Sequence, residues 1–249
     1  APYSFETTID AAAHLDGARG TRWRTDLRLL NPWRQWGLVR VSGTDGDDPV
    51  VLVRIPPGAE AGLDDVVGSW FGRDHWSGPL SVSSDRAVVA VSRTSTAGPD
   101  GTHGQGIHGR VWWSRPPDVQ VLPMLREDAR FRSNLGIRNP ARTEGSVDVA
   151  LVKSDGARLG PVTVAVGATP WTQELHIARE LASDPVPSAH LEVSGNTSLR
   201  TYPASLSVID NLSGDASFFR PLEAIPTEGA VLGAVAHTDG VDGTSWRSD

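Results

Sequence analysis

Cysteine is absent from the chain, and lysine and methionine occur once each, as Lys153 and Met124. Without cysteine the protein forms no disulfide and offers no thiolate to a metal. The formal net charge is −7 and the arginines form no basic block, so neither nucleic acid nor an anionic membrane is an expected partner. No apolar run approaches the roughly 20 residues that span a bilayer, so we expect no membrane span.

Common catalytic signatures are also missing from the sequence. It contains no G-x-S-x-G nucleophile turn, no H-E-x-x-H zinc motif and no G-x-x-x-x-G-K-[ST] phosphate loop. These patterns hold a nucleophile, a metal or a phosphate in place. We therefore expect no enzyme, no catalytic residue and no cofactor.

What the sequence does contain is an internal repeat. Residues 23–32 (WRTDLRLLNP) match residues 131–140 (FRSNLGIRNP) at an offset of 108, with four identical positions. Both segments alternate apolar and polar residues with period two, which predicts a half-buried strand. Each ends in Asn-Pro, and because proline donates no ladder hydrogen bond, it predicts the end of the strand.

Further matching runs follow in both copies, separated by Gly, Pro, Asn and Asp. Residues 63–71 and 173–182 have helical character, and the remaining apolar runs have the length of strands. This pattern predicts an all-β protein of two tandem immunoglobulin-like β-sandwich domains with short helical turns. We expect the domains at residues 1–116 and 117–227, joined near the Pro-Pro pair of residues 114–118, and a tail at 228–249.

The tail repeats the beginning of the chain. Residues 234–249 align without a gap on residues 11–26, with ten identical positions. We interpret these segments as interfaces and expect the following residues to make them: His237, Trp246, Arg247, His14 and Trp23. Two explanations stay open, namely an array that continues into another unit and a tail that pairs with a neighbouring molecule near its residues 11–26.

Tryptophan occurs nine times, and several copies fall in or near turns. Exposed tryptophan is typical of both protein interfaces and sugar-stacking sites, because a rigid ring contributes a large contact area at small entropic cost. The candidates for glycan or protein contact are Trp33, Trp36, Trp70 and Trp76. Packing beneath loops is the other explanation, and between the two kinds of contact the sequence favours protein over glycan.

One acidic segment, which contains Asp210 and Asp215, could in principle bind calcium. It lacks the regular ligand spacing and the distal glutamate of a calcium loop. A hairpin turn at Ser213 and Gly214 is the favoured interpretation. We expect no metal, with Asp210 and Asp215 as the first candidates if calcium is bound.

Three segments resemble a tandem β-sandwich module found in secreted bacterial proteins: AAAHLDGARGTRWRTDLRLLNP, DRAVVAVSRT with GTHGQGI, and ASLSVIDNLSGDASFF. The resemblance implies immunoglobulin-like accessory or structural domains, export to the cell exterior or surface of a bacterium, and no catalysis. We therefore expect a structural or adhesive protein that self-associates through its terminal segments into a filament or surface array. The alternative is an accessory carbohydrate-binding module of a larger secreted protein, with polysaccharide as partner.

Overall fold

The structure is a computed structural model that describes residues 3–44, 49–99, 101–111, 118–196, 202–221, 237–239 and 245–247. The predicted domain junction at residues 114–118 falls almost wholly outside the described residues, as does most of the predicted tail. We refer to the described residues up to 111 as the N-terminal half and to residues 118–221 as the C-terminal half. Within the described residues, no helix is long and apolar enough to cross a membrane.

The prediction of an all-β fold is confirmed, and all the sheets are antiparallel. The strands of the N-terminal half are β1 (Phe5–Asp16), β2 (Arg22–Leu30), β3 (Gly37–Gly43), β4 (Val50–Ile55), β5 (Glu60–Leu63), β6 (Trp76–Ser84), β7 (Val89–Gly98), β8 (Gly101–His108) and β9 (Arg110–Val111). Those that follow are β10 (Val119–Glu127), β11 (Phe131–Arg138), β12 (Gly145–Lys153), β13 (Arg158–Val166), β14 (Trp171–Glu174), β15 (Val186–Asn196), β16 (Ala204–Asp210), β17 (Ala216–Phe219), β18 (His237–Asp239) and β19 (Ser245–Arg247). Short helical turns occur at Ala18–Gly20, Val66–Trp70 and Ile177–Glu180.

The two halves share one pairing scheme. In the N-terminal half the strands pair in the orders β4-β3-β6-β1 and β5-β2-β7-β8, and a short β1–β2 pairing joins the two rows. In the C-terminal half the corresponding orders are β13-β12-β15-β10 and β14-β11-β16-β17. Every pairing of the C-terminal half therefore has a counterpart in the N-terminal half, as the repeat in the sequence suggests.

Each half buries its own core between its two rows of strands. Leu27 and Leu29 of β2 pack with Val82 of β6 in the N-terminal half, and Leu135 of β11 packs with Leu191 of β15 in the C-terminal half. These residues occupy the inward positions of alternating strands and are fully buried. Burial of this apolar surface is the main source of stability.

The repeated Asn-Pro pair ends its strand through the asparagine side chain. Asn31 is fully buried, and its Nδ2 donates to the carbonyl oxygens of Gln35 and Ile55 at 2.7 and 3.1 Å. Asn139 is equally buried and donates from Nδ2 to the carbonyl oxygens of Thr143 and Gly167 at 2.9 and 2.7 Å. Each amide thus satisfies buried backbone carbonyls where the strand pairing stops.

The tail forms a hairpin in the register of the β1–β2 hairpin. His14 is opposite Arg24 in the first hairpin, and His237 is opposite Arg247 in the second. Because each pair is separated by the same repeat of 223 residues, the tail reproduces the start of the chain in backbone pairing as well as in sequence. His14 itself lies within β1, and the turn between β1 and β2 begins at Gly17.

Candidate functional site

Trp23 lies where the two halves meet. It occupies the same face of β2 as Leu27, but beyond the end of the N-terminal core, and it is 9% exposed. Its ring forms a small apolar cluster with Ile209 and Ala216 of the C-terminal half. Trp23 therefore makes a contact between the halves of one chain, with residues that were not predicted from the sequence.

The turn that joins β1 and β2 explains how Trp23 reaches this position. A Cβ on Gly17 would lie 2.6 Å from Nε1 of Trp23 and 2.4 Å from Oγ1 of Thr21, distances that real side chains do not tolerate. Glycine at this position therefore lets the indole fold back against the turn. The same glycine recurs in the tail, as Gly240.

Polar contacts surround the Trp23 cluster. Nη1 of Arg19 donates to the carbonyl oxygen of Asn211 at 2.5 Å, and the backbone N–H of Gly104 donates to Oδ1 of Asp215 at 3.1 Å. Nε of Arg220 donates to Oδ2 of the buried Asp10 at 2.7 Å. Charged and backbone groups from both halves thus meet around an apolar centre, which is the usual composition of a specific contact surface.

Asp210 and Asp215 belong to a hairpin turn, as the sequence favoured. The turn joins β16 and β17, and Gly214 adopts a φ of +76° within it. Oδ1 of Asp210 accepts from the N–H of Leu212 at 2.7 Å, and Oδ2 accepts from Nε of Arg130 at 3.0 Å. Over the described part of the chain, no group of three or more His, Cys, Asp or Glu residues is arranged to hold a metal.

These hydrogen bonds change the acidity of Asp210. Burial by itself raises the pKa of this carboxyl. The N–H groups of Leu212 and Ser213 and the guanidinium of Arg130 outweigh that effect, and the pKa lies below its ordinary value. Asp210 is therefore held as a carboxylate by its own turn.

His14 contacts two carboxylates of its own half. Its Nδ1 lies 2.9 Å from both oxygens of Asp65, and its Nε2 lies 3.6 Å from Oδ1 of Asp74. Asp65 precedes the helical turn Val66–Trp70 and has a left-handed backbone conformation. The structure thus places His14 beside this turn, between Ala13 and Leu15, which pack against the Trp23 cluster.

The C-terminal half has an equivalent contact, in which the histidine and the carboxylate have exchanged positions. Glu127, at the end of β10, lies where the His14 segment lies in the first half, and His176 precedes the helical turn Ile177–Glu180 in a left-handed conformation. Oε1 of Glu127 is 2.7 Å from Nδ1 of His176 and 3.0 Å from Nε of Arg179. Neither pair was predicted, since the exchange hides the correspondence from a comparison of the two repeats.

Next to the Trp23 cluster, a cleft of about 430 Å³ opens between the halves. Its walls include Ala11, Ala13, Trp23 and Gln105 from the N-terminal half, and Asn134, Trp171, Ser207 and Phe218 from the C-terminal half. A second cleft of about 410 Å³ also contains residues of both halves, among them Arg40, Arg138 and Arg142. Burial lowers the pKa of Arg138 in that second cleft.

The four predicted contact tryptophans are distributed over the N-terminal half and border neither cleft. Trp33 is 49% exposed and donates from Nε1 to the carbonyl oxygen of Ala87 at 2.6 Å. Trp36 is 52% exposed beneath the guanidinium of Arg54, and Trp70 is 49% exposed. Trp76 packs against the N-terminal core.

For the tail, the structure describes the backbone pairing of three predicted interface residues. His237 and Arg247 are opposite one another, and Trp246 is opposite Thr238. In the first hairpin Trp23 is opposite Leu15. Trp246 therefore holds the hairpin position that Trp23 uses to contact the C-terminal half.

Comparisons with known proteins give little further information. No protein-family model and no curated protein matches the chain. Among solved structures, one titled "Crystal Structure of Thermotoga maritima 1070" matches 43% of this chain and 94% of its own, with 15% identity and a TM-score of 0.35. A likeness at this level carries no conclusion about function.

Proposed function

We propose that the protein is a non-catalytic secreted component with a structural or adhesive role, built from two tandem immunoglobulin-like modules that associate head to tail. The modules are residues 1–116 and 117–227. The term immunoglobulin-like is used for a two-sheet antiparallel sandwich of about 100 residues, without a claim to one strand order. The repeated pairing scheme and the separate cores support this division.

The observation that carries the proposal is the use of the first hairpin. The β1–β2 hairpin brings Trp23 onto Ile209 and Ala216, and so connects one module to the next. The tail repeats this hairpin in sequence and in register. A chain with the connecting element in two places has the means to connect modules in series, including modules of different molecules.

The expected geometry of such an assembly is open-ended. A tail hairpin on one molecule and a module surface on the next are different surfaces, so their contact is heterologous and does not close unless the rotation permits a ring. A repeated contact of this kind builds a filament or an array. That architecture suits a component of the cell exterior, which the resemblance to secreted bacterial modules also implies.

The test is electron microscopy of the chain with and without residues 228–249. The proposal expects filaments or ordered assemblies from the complete chain and their loss on deletion. Trp246→Ser should reproduce the loss, whereas Trp36→Ser, which removes an exposed tryptophan elsewhere, should leave the assemblies intact. Assemblies that survive the deletion would show that the tail is not the connecting element.

A further inference from the structure

The cleft between the halves has an aromatic wall that the repeat does not explain. Trp171 lies against Gly136, so closely that a Cβ at position 136 would be 2.1 Å from Cη2 of the indole. The six-membered ring of the indole therefore packs on the backbone of β11. Trp23 and Phe218 border the same space.

Most of the polar residues of the cleft are uncharged. Side-chain amides and hydroxyls line it, contributed by Gln105, Asn134, Gln173, Ser205 and Ser207. Oε1 of Gln105 is buried and accepts no hydrogen bond from the described residues. A buried acceptor without a donor costs free energy, so a rotation of this amide that brings Oε1 to a ligand hydroxyl gains that interaction.

The ionisable residues of the cleft are already engaged with other groups. Nη1 of Arg132 donates to Oδ1 of Asn211 at 2.6 Å, and burial together with the charge of Arg19 lowers the pKa of Arg132. His176 is bonded to Glu127. The third ionisable lining residue, Asp16, has its Oδ1 4.0 Å from Nη2 of Arg24. A charged ligand would therefore compete with an existing partner for each of these groups.

From this combination we propose that the cleft binds a neutral saccharide of one or two pyranose rings. A gluco-configured ring carries its C–H groups on flat faces that pack on an indole, and its hydroxyls both donate and accept, as side-chain amides do. The cleft also has the size of a small-molecule site, for which roughly 300–1,000 Å³ is typical. The described residues that line the site all belong to one chain.

The position of the cleft adds a second measurable consequence. Because both halves contribute to its walls, a bound sugar contacts both and favours the folded arrangement over states in which the halves separate. Ligand should therefore raise the midpoint of thermal unfolding in proportion to its binding. This readout is independent of a direct titration.

The experiment is isothermal titration calorimetry of the full chain with cellobiose, maltose, lactose and N,N′-diacetylchitobiose, with glucuronate as a charged comparator. We expect at least one neutral disaccharide to bind more tightly than glucuronate and to raise the unfolding midpoint. Trp171→Ala and Gln105→Leu should each weaken this binding by about tenfold. Trp36→Ala, outside the cleft, should leave it unchanged.

A variant that fills the cleft distinguishes loss of the binding site from loss of the fold. Ser207 faces the cleft from β16 between inward-pointing neighbours, so Ser207→Trp should abolish binding while the circular dichroism spectrum stays that of the wild type. Absence of binding to all four disaccharides at millimolar concentration would overturn the proposal. So would tighter binding of glucuronate, or binding lost in Trp36→Ala and kept in Trp171→Ala or Ser207→Trp.

Discussion

The two halves have the same strand pairing and each has its own core, but their outward-facing surfaces differ in charge. On the row β5-β2-β7-β8 of the N-terminal half, outward positions carry Arg24, Asp26, Arg28, Glu60 and Arg93. The equivalent positions on β14-β11-β16-β17 carry Arg132, Asn134, Gly136, Trp171 and Ser207. The first surface is charged, whereas the second is mostly neutral, with small residues beside one large ring.

Because of this difference in charge, the contact uses the hairpin of the N-terminal half and the neutral surface of the C-terminal half, and not the reverse. The neutral surface of the C-terminal half receives Trp23 and its hairpin, whereas the charged surface of the N-terminal half keeps its ion pairs in solvent. Two halves with the same fold therefore do not make the same contacts. Burying a charge without a partner costs more free energy than an apolar contact contributes. Under the proposed head-to-tail association, the tail hairpin, which repeats the N-terminal sequence, is expected to contact a surface of the neutral kind.

The largest effect on stability is predicted for removal of the Trp23 contact between the halves. Trp23→Ser should cost about 3 kcal/mol of unfolding free energy, because a nearly buried tryptophan leaves a cavity between the halves. Small-angle scattering should show a larger radius of gyration, and calorimetry should show two transitions. The matched control is Phe131→Ser at the equivalent position.

Phe131 is a suitable control because its surroundings differ. Its ring lies beneath the guanidiniums of Arg126 and Arg130, at 4.0 and 5.3 Å from the ring centroid. Loss of such cation–π contacts costs about 1 kcal/mol and should not separate the halves. Equal effects of the two variants on the scattering curve would contradict a directional contact.

The next effect concerns the exchanged histidine–carboxylate pairs. Glu127→Gln should cost about 2 kcal/mol, since the 6%-exposed carboxylate loses charge-assisted hydrogen bonds to His176 and Arg179. Asp65→Asn should cost less, because the Asp65 side chain is 25% exposed. Urea unfolding measures both.

The same pair allows a sharper comparison. Exchanging the residues, as Glu127→His with His176→Glu, copies the order found in the first half and should recover part of the loss caused by Glu127→His alone. A double variant no more stable than the weaker single variant would show that the pair itself is not what the two halves share.

A smaller effect depends on pH. The pKa of Asp210 is lowered in the folded state, so its stabilisation is present above the unfolded pKa of about 3.9 and is lost as the pH falls through the lower folded value. Asp210→Asn should therefore be about 1 kcal/mol less stable than the wild type at pH 7, and the difference should shrink in acid. A difference that grows below pH 4 would contradict this, with Asp215→Asn as the comparison.

The smallest effect is expected on the charged surface. Arg28→Ala removes an ion pair of 2.7 Å to Asp64, whose side chain is 80% exposed. Such solvent-exposed pairs contribute about 0.5 kcal/mol or less. A loss of several kcal/mol in urea unfolding would mean that this surface is covered in the folded protein.

Much of each half was predictable from local pattern. The period-two alternation gave the strand that contains Leu27, and Asn31-Pro32 marked its end because proline cannot donate to the ladder. Ser213 and Gly214 indicated the hairpin turn in the same local way. These features depend on residues close in sequence.

The contact between the halves was not predictable in this way. Trp23 packs on Ile209, and Gln105 and Trp171 line the same cleft, although these residues are far apart in sequence and no periodicity links them. The exchange of His14–Asp65 for Glu127–His176 removed the identity by which an alignment of the repeats would have shown it. These sites become visible only in the three-dimensional structure.

Sedimentation equilibrium of the complete chain over a range of concentrations tests the central claim most directly, beside Trp246→Ser and with Trp36→Ser as the control. Head-to-tail association predicts that the mean mass of the wild type and of Trp36→Ser rises with concentration, whereas Trp246→Ser keeps the mass of a single chain. A wild type that keeps the mass of one chain throughout, or a Trp246→Ser variant that associates as the wild type does, would contradict it.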